Sequence, residues 1–384
     1  MRVAFGILGP KGGAWKRLQE FCSAASKYDV ETTVYVPAER NWVWSRNGSI
    51  GQVIEVSSDV LGPMGRYVPL SVRFAWAWTK ELVRSDGVEY DIVGGFAGLA
   101  GLGPVVGRHI LGQDYAVVNV LRGGEGRGLD LHLEARGLSP LYRRIRVFIQ
   151  RIAMSIVIAG SDKVIAQSKQ GLGELKEECL FGFSASSTWV WNNVNSPLVI
   201  ERANPKEEWQ YEVGRPCEIA FVGRLSKLVK GLDTLLEACD FASDQGISLR
   251  LHVAGDGPDS VWIKKMAANR DWLVYHGWVR DACSLMRDVD LVVVPSRYDP
   301  FPNTVLEALW VRTPVLAACV DGIPEMLGHG ELLFNPKDPK ELAEMLSNFA
   351  ETYTYRERVI EVSRQRRRAL RFDWDEKIVE AIVC

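Results

Sequence analysis

The chain has 384 residues, of which 47% are hydrophobic and 24% charged, and both values are ordinary for globular proteins. This length exceeds one typical hydrophobic core and predicts two domains. A formal net charge of −2 gives no electrostatic basis for binding nucleic acid. The seven cysteines are scattered, with no C-x-x-C pair and no zinc spacing, which predicts reduced thiols in a cytoplasmic protein. No apolar run approaches the ~20 residues that span a bilayer. Met1-Arg2 leads straight into a strand, so we expect no signal peptide.

The amino-terminal half alternates strands and helices, which is typical of a parallel α/β sheet. A helix predicted at residues 14–27 joins two strands into a βαβ unit. The loop before this helix contains Gly12 and Gly13, whose lack of a side chain lets the backbone approach a ligand closely. No Gly-Lys-Ser/Thr follows, and later glycines form no G-x-G-x-x-G after a strand, so neither a P-loop nor a nicotinamide site is favoured. Strands are predicted at residues 3–8, 31–36, 90–93, 116–121 and 162–168.

Residues 139–158 predict an amphipathic helix. Apolar side chains recur at helical spacing, whereas Arg143, Arg144 and Arg151 take the other side. A basic amphipathic helix can lie on an anionic membrane surface, but packing against the sheet explains the same pattern with fewer assumptions. Both alternatives stay open, so peripheral contact with the inner face of a membrane is one expectation. The apolar positions are Leu141, Ile145, Phe148, Ile149 and Ile152.

The carboxy-terminal half predicts a second parallel sheet, with strands at 218–222, 249–254, 274–279, 291–294 and 315–318. After the strand at 291–294 a helix begins with Asn303 as the expected N-cap. Its N-terminus lies at the carboxyl edge of the sheet, where open α/β sheets bind ligands and where a helix N-terminus favours an anion. Asp299 and Glu307 frame this point, which fits a ligand with a phosphate between two sugars. The alternative is two solvent-exposed carboxylates.

Two motifs in this half resemble those of the retaining glycosyltransferases of family 4. Pro295, Ser296, Phe301, Glu307 and Ala308 match the register of that family's Glu-x7-Glu region, although Asp299 stands where the first Glu would be. The second motif is Gly-Arg-Leu followed by Lys-Gly, in which the arginine and lysine hold the diphosphate of the donor. The resemblance is strong over residues 218–350 and weak over residues 1–215. The second motif comprises Gly223, Arg224, Leu225, Lys230 and Gly231.

The resemblance implies an α/β protein with the GT-B fold. This fold has two facing Rossmann-like domains, a deep interdomain cleft and a terminal helix that crosses back to the first domain. We place an acceptor-binding domain at residues 1–195, joined by the terminal helix at about 366–384. A nucleotide-sugar-binding domain then covers residues 196–365.

The resemblance also implies functional residues. Arg224 and Lys230 would stabilise charge on the leaving diphosphate. Glu307 would bind the ribose, and Asp299 would bind the transferred sugar. Other donor contacts would come from Gly223, Gly255, Trp278, Val279, Phe301, Pro302, Asn303, Thr304 and Val305. Contacts to the acceptor would come from Gly12, Gly13, Arg122 and Glu125, of which the last two stand near the position where many relatives have a His-Asp pair.

These residues imply transfer of a sugar from a UDP- or GDP-linked donor to the hydroxyl of a glycan, lipid-linked or small-molecule acceptor. No cofactor and no metal are expected. Asp288-Val289-Asp290 has the Asp-x-Asp form of a manganese site, but it closes a helix and enters a strand, so we interpret it as structural. Two other classes remain open: a binding protein that has lost transfer activity, which the Asp299 replacement favours, and a GT-B epimerase or phosphorylase.

Overall fold

The structure, a computed structural model, describes residues 1–9, 13–38, 51–57, 70–84, 89–123, 125–193, 205–206 and 214–384. The chain forms two compact units. The first comprises Met1–Gly126, Arg144–Trp191 and Asp373–Cys384, and the second comprises Arg127–Arg143 and Asn192–Phe372. The sequence-based boundaries lie at 195/196 and 365/366, whereas the chain passes between units at 126/127, 143/144, 191/192 and 372/373.

The first unit is built on a parallel sheet of seven strands, in the order β3-β2-β1-β4-β5-β6-β7. Its central strands are apolar and buried on both faces, as the unbroken apolar runs predict. The strands are β1 (Arg2–Gly6), β2 (Glu31–Pro37), β3 (Gln52–Val56), β4 (Ile92–Gly95), β5 (Ala116–Leu121), β6 (Lys163–Ala166) and β7 (Ser186–Trp189).

Helices connect these strands and cover the sheet. Trp78, with no exposed surface, stacks on Phe74 at a centroid distance of 5.7 Å and forms the centre of one core cluster. The helices are α1 (Gly13–Ser26), α2 (Leu70–Arg84), α3 (Leu102–Leu111), α5 (Pro140–Ala159) and α6 (Lys169–Glu178); between β5 and β6 the chain also forms α4 (Glu125–Glu134), which from Arg127 onward belongs to the second unit, as does α5 up to Arg143.

Helix α5 has the predicted bounds to within a residue, but it turns the predicted apolar face outward. Leu141 is 71% exposed, and Ile145, Phe148 and Ile149 are each at least half exposed. Packing on the sheet is therefore the wrong explanation for these residues. The helix is anchored instead by the buried residues Met154, Ser155, Val157 and Ile158.

The second unit is built on a parallel sheet of six strands, in the order β10-β9-β8-β11-β12-β13. This is the 3-2-1-4-5-6 order of a Rossmann sheet, and the order reverses between β8 and β11. The strands are β8 (Cys217–Val222), β9 (Leu249–Ala254), β10 (Leu273–Gly277), β11 (Leu291–Val294), β12 (Val315–Ala318) and β13 (Leu333–Phe334).

Apart from α4, the helices of the second unit lie between its strands in the chain or after the last one. They are α7 (Lys227–Lys230), α8 (Leu232–Asp244), α9 (Ser260–Ala267), α10 (Ala282–Asp288), α11 (Asn303–Trp310), α12 (Ile323–Leu327), α13 (Pro339–Glu351) and α14 (Tyr353–Ala369).

The terminal helix, α15 (Trp374–Val383), belongs to the first unit. It packs on α1, where Lys27 forms an ion pair with Asp375 and the Arg17 guanidinium lies 5.4 Å from the centre of the Trp374 ring. The predicted return of this helix to the first unit is confirmed. Among the described residues, no helix has the length and apolarity needed to cross a membrane.

Candidate functional site

Most residues predicted to bind a donor gather where the strand order of the second unit reverses. Strands β8 and β11 are neighbours there, with Leu291 opposite Ile219. Gly223 and Arg224 follow the carboxyl end of β8, and the loop that contains Asp299 follows the carboxyl end of β11. Parallel sheets bind ligands at this point because the connecting loops diverge from it.

Gly231 allows the loop after β11 to approach α7 closely. Its φ of +63° is left-handed, and a Cβ there would lie 1.9 Å from the carbonyl oxygen of Pro295. The backbone N–H groups of Arg297 and Tyr298 both donate to the carbonyl oxygen of Val229, at 2.9 and 3.2 Å. The glycine of the Lys-Gly motif is thus required for this close approach.

The same approach brings Lys230 and Asp299 together. The ammonium group of Lys230 forms an ion pair with the Asp299 carboxylate, and the two side chains are only 25% and 14% exposed. Arg224 is exposed at the end of β8, and no carboxylate in the described part of the chain pairs with it. The edge of the sheet therefore carries one cation held in place and one cation open to an anionic ligand.

Arg297 fastens the loop after β11 to the start of α8. Its guanidinium donates to both carboxylate oxygens of Asp233 at 2.9 Å, and also to the Thr234 hydroxyl and the Lys227 carbonyl oxygen. A bidentate arginine–carboxylate pair fixes geometry more strongly than a single contact does. Local sequence does not predict this anchor, since Arg297 and Asp233 lie far apart in the chain.

Asp321 holds the backbone of Asp299 in place. Its carboxylate, 2% exposed, accepts a hydrogen bond from the backbone N–H of Asp299 at 2.6 Å and another from Arg127 of the same unit at 2.9 Å. Burial raises the pKa of Asp321, although the Asp299 N–H and the Arg127 charge act in the opposite direction. The φ of Asp321, +47°, is one that glycine or a short polar residue adopts.

A second glycine packs two strand ends together. Gly255 has a φ of +145°, and a Cβ there would lie 1.8 Å from the carbonyl oxygen of Gly223. Its N–H donates to the carbonyl oxygen of Gly277 at 2.7 Å. Trp278 follows at the end of β10 and is 72% exposed, whereas Val279 is half-buried. An exposed indole beside this edge can stack on a planar ring.

Helix α11 begins one residue earlier than predicted. Pro302 is at the N-cap position without a side-chain cap, and Asn303 is the first helical residue, so the predicted N-cap role of Asn303 is wrong. The backbone N–H groups of Asn303 and Thr304 have no acceptor among the described residues, as an anion site at a helix N-terminus requires. The Thr304 hydroxyl ties the helix to the Val222 carbonyl oxygen at 3.2 Å.

The remaining residues of α11 and its preceding loop are mostly interior. Phe301 and Val305 are buried, so their side chains support the helix. Glu307 is 8% exposed in the middle of the helix, which rules out the alternative of a solvent-exposed carboxylate. A buried carboxylate at this place must be held by hydrogen bonds or charge.

Both aspartates of the Asp-x-Asp pair, Asp288 and Asp290, form ion pairs with arginines. Asp290 is buried and accepts two hydrogen bonds from Arg215, at 2.7 and 2.6 Å, whereas Asp288 pairs with Arg287. Across the described ranges, no group of three or more His, Cys, Asp or Glu residues could hold a metal ion. The carboxylate of Asp290 therefore has a structural role, because it holds the backbone in place just before β11 begins.

Two histidines lie side by side on neighbouring strands, the mostly buried His252 in β9 and His276 in β10. His252 Nδ1 lies 2.9 Å from His276 Nε2, and His252 Nε2 lies 2.6 Å from a Glu218 carboxylate oxygen. His276 is exposed. Partial burial, and then the neighbouring His252 charge, lower the pKa of His276.

In the first unit the predicted acceptor residues are only partly described. Gly12 lies outside the described residues, Gly13 begins α1, and Glu125 begins α4. Arg122 follows β5, and its buried Nε atom has no hydrogen-bond partner among the described residues. An unsatisfied buried donor at a strand end is suited to an anionic or hydroxyl ligand.

Comparison with known proteins finds a family match within the second unit and relatives that match part of the chain. Residues 216–352 match the family model described as glycosyl transferases group 1. TuaC of Bacillus subtilis, a glycosyltransferase assigned to teichuronic acid biosynthesis, is 31% identical over 228 residues, which cover 58% of this chain and 54% of TuaC. The α-D-kanosaminyltransferase of Streptomyces kanamyceticus is 27% identical over 167 residues, 42% of each chain. The chain spans about half, or less, of the length of these curated relatives.

Solved structures match over nearly the whole chain. Sucrose-phosphate synthase of Thermosynechococcus elongatus superposes with a TM-score of 0.71 at 16% identity, over 99% of this chain and 96% of that one. HepE of Anabaena, in complex with UDP, gives a TM-score of 0.68 at 18% identity over 99% of both chains. At these identities the likeness shows the fold. The predicted GT-B class, with two Rossmann-like units, is confirmed.

Proposed function

We propose that this chain is a retaining glycosyltransferase that moves a sugar from a nucleotide-sugar donor to an acceptor hydroxyl without a metal ion. One observation carries the proposal: the Lys230–Asp299 ion pair lies at the strand-order reversal of the second unit, together with Arg224, which pairs with no carboxylate of the described residues. Phosphate-binding cations and a sugar-binding carboxylate thus share one edge of the sheet.

The donor fits this edge in a defined order. Arg224, Lys230 and the open N–H groups at the start of α11 neutralise the diphosphate, which carries away about two negative charges as it leaves. Glu307, buried in α11, accepts hydrogen bonds from the ribose, and Trp278 with Val279 borders the base. Fixed cations at this place stabilise charge as it develops, so they act more strongly in the transition state than in the ground state.

The ion pair suggests how donor binding activates Asp299. When a diphosphate binds the Lys230 ammonium, the Asp299 carboxylate loses its ion-pair partner. It can then accept hydrogen bonds from sugar hydroxyls. Asp321 keeps the Asp299 backbone in place during this exchange, because it holds the N–H rather than the side chain. The acceptor hydroxyl then attacks on the face from which the phosphate departs, and the protein contributes positioning and charge stabilisation. Gly12, Gly13, Arg122 and Glu125 are the proposed acceptor residues.

The relatives support a nucleotide sugar and a glycan product. HepE of Anabaena was solved with UDP and with UDP-glucose, and TuaC is assigned to the biosynthesis of teichuronic acid. A UDP- or GDP-linked donor and a role in polysaccharide or glycoconjugate biosynthesis are the proposals that follow for this chain.

The test is release of nucleotide from a panel of UDP- and GDP-sugars, with calorimetric titration of free UDP and GDP alongside. We expect one donor to be turned over. Arg224→Ala lowers turnover by roughly two to three orders of magnitude, the usual scale for one charge-stabilising donor. Lys264→Ala, which removes an exposed cation from α9 of the same unit, is the matched control and keeps wild-type turnover. Wild-type turnover by folded Arg224→Ala, or no binding of any donor, refutes the proposal.

The second candidate is a nucleotide-sugar-binding protein without transfer activity. The observation that favours it is Asp299 itself, since an aspartate is one methylene shorter than the family's glutamate and is already paired with Lys230. Tight calorimetric binding of a donor, with no nucleotide release in the presence of any acceptor, identifies this function instead.

A further inference from the structure

Helix α5 presents a continuous row of large apolar side chains to solvent. Leu141, Ile145, Phe148 and Ile149 are 71%, 50%, 56% and 53% exposed, and Ile156 continues the row at 42%. Soluble surface helices normally bury such a face, and contiguous exposed apolar surface marks an interaction site.

The row is flanked by positive charge. At 100° per residue, the exposed apolar residues of α5 fall within an arc of about 100°. Arg144 lies on one side of this arc and Arg146 on the other. Among the described residues, no carboxylate pairs with either arginine, whereas Arg143 is held by Asp130 and Glu134.

The sequence around the row contains no negative charge. Residues 135–161 include five arginines and no aspartate or glutamate. Two further exposed apolar residues, Leu180 and Phe181, adjoin the far end of α5, since the Leu180 N–H donates to the Ser155 hydroxyl at 2.8 Å. From Leu141 to Ile156 the row extends about 22 Å along the helix.

We propose that this face of α5 docks on an anionic lipid membrane. The helix lies in the plane of the interface, with the apolar row in the boundary between headgroups and acyl chains and with Arg144 and Arg146 reaching the phosphates. The charge pattern selects this occupant over a second copy of the chain. A two-fold dimer would place the same patch against itself, so arginines would face arginines with no carboxylate between them.

Co-sedimentation of the whole protein with vesicles tests the docking surface. We expect binding to vesicles that contain phosphatidylglycerol, weaker binding in high salt, and little binding to pure phosphatidylcholine. Phe148→Ser lowers the partition coefficient about tenfold or more, because one large apolar contact is lost. Arg144→Ala lowers it about fivefold, the effect of one basic residue near an anionic surface. Val261→Ser changes an equally exposed apolar residue of α9, 71% exposed, and leaves partition unchanged.

Three results overturn the proposal. One is no binding to phosphatidylglycerol vesicles by the folded wild-type protein. Another is equal partition of Phe148→Ser and Val261→Ser. The third is a doubling of molecular mass in light scattering that Phe148→Ser abolishes, which assigns the face to a second copy. None of these measurements uses a sugar donor, so failure here is separate from failure of the proposed transfer reaction.

Discussion

Replacing Gly231 by alanine perturbs the contact that brings Lys230 beside Asp299. The added Cβ would lie 1.9 Å from the Pro295 carbonyl oxygen, whereas Cβ atoms are essentially never found closer than 3.0 Å to such an atom. The loop after β11 must therefore move away from α7. Two backbone hydrogen bonds to the Val229 carbonyl oxygen oppose this movement, and so does the bidentate pair of Arg297.

The magnitude follows from two contributions. A non-glycine residue in the left-handed region costs about 1–2 kcal/mol, of which about 0.4–1 kcal/mol is offset by the stiffer unfolded chain. Gly246→Ala carries only this cost, because Gly246 has a φ of +84° and no atom within 4 Å of its Cβ position. Gly231→Ala also weakens or breaks hydrogen bonds worth about 0.5–1.5 kcal/mol each. We expect it to destabilise the second unit by about 2 kcal/mol more than Gly246→Ala does.

Hydrogen exchange of peptides from residues 214–372 in increasing urea measures the unfolding free energy of this unit. Titration with UDP and GDP shows whether the displaced loop weakens binding, which we expect for Gly231→Ala and not for Gly246→Ala. If the two variants differ in stability by less than about 0.5 kcal/mol, the smallest difference such additive arguments resolve, the close contact at Gly231 does not hold the loop.

Three further predictions concern the charged groups. Glu307→Ala weakens binding of the free nucleotide by about 1.5–3 kcal/mol, whereas Asp299→Ala leaves it nearly intact and lowers transfer, as calorimetry and a transfer assay on each variant measure. Wild-type transfer by Asp299→Ala contradicts the sugar-binding role. Transfer persists in EDTA; complete loss that manganese restores would instead make Asp288 and Asp290 ligands. The pKa of His276 is lower in the folded state than its unfolded value near 6.5. Above that pH the imidazole is neutral in both states and does not change the free energy of unfolding. As the pH falls below it, the unfolded state binds the proton more readily, so the fold loses stability. Hence the stability of the wild type relative to His276→Gln decreases between pH 7.5 and 5.5 in urea denaturation, and a pH-independent difference excludes the effect.

Local sequence predicted the strands and the helix that carry the candidate donor site of the second unit. The unbroken apolar run of β11 and the period of α11 each fix one element without help from distant residues, and the predicted strands at 249–254, 291–294 and 315–318 have the observed bounds. The Asn303 N-cap was wrong because the helix begins one residue earlier, with Pro302 in an extended conformation at the N-cap position.

Long-range geometry explains what local pattern missed. Arg297 with Asp233, and Asp321 with the Asp299 N–H, are contacts between loops that only the folded sheet brings together. Helix α5 shows a different limit, since periodicity defines an apolar face but not whether it points to the core. The polar helix α14 was not predicted because its arginine-rich sequence has little apolar period; one of its arginines, Arg356, is buried on the last carbonyl oxygens of α13.

The place of α15 in the first unit has a consequence for how the protein is made on the ribosome. Ser26 ends α1 and Trp374 begins the helix that covers it, so synthesis at about 5–20 residues per second separates the two surfaces by roughly 17–70 s. During that interval the Arg17–Glu20 ion pair, whose side chains are 4% and 5% exposed in the finished unit, stays open to water. The sheet of the second unit, from Cys217 to Phe334, is contiguous and can close earlier. The first unit to emerge is therefore the last to be completed, and a nascent chain arrested before residue 373 should display a folded second unit beside an unfinished first one.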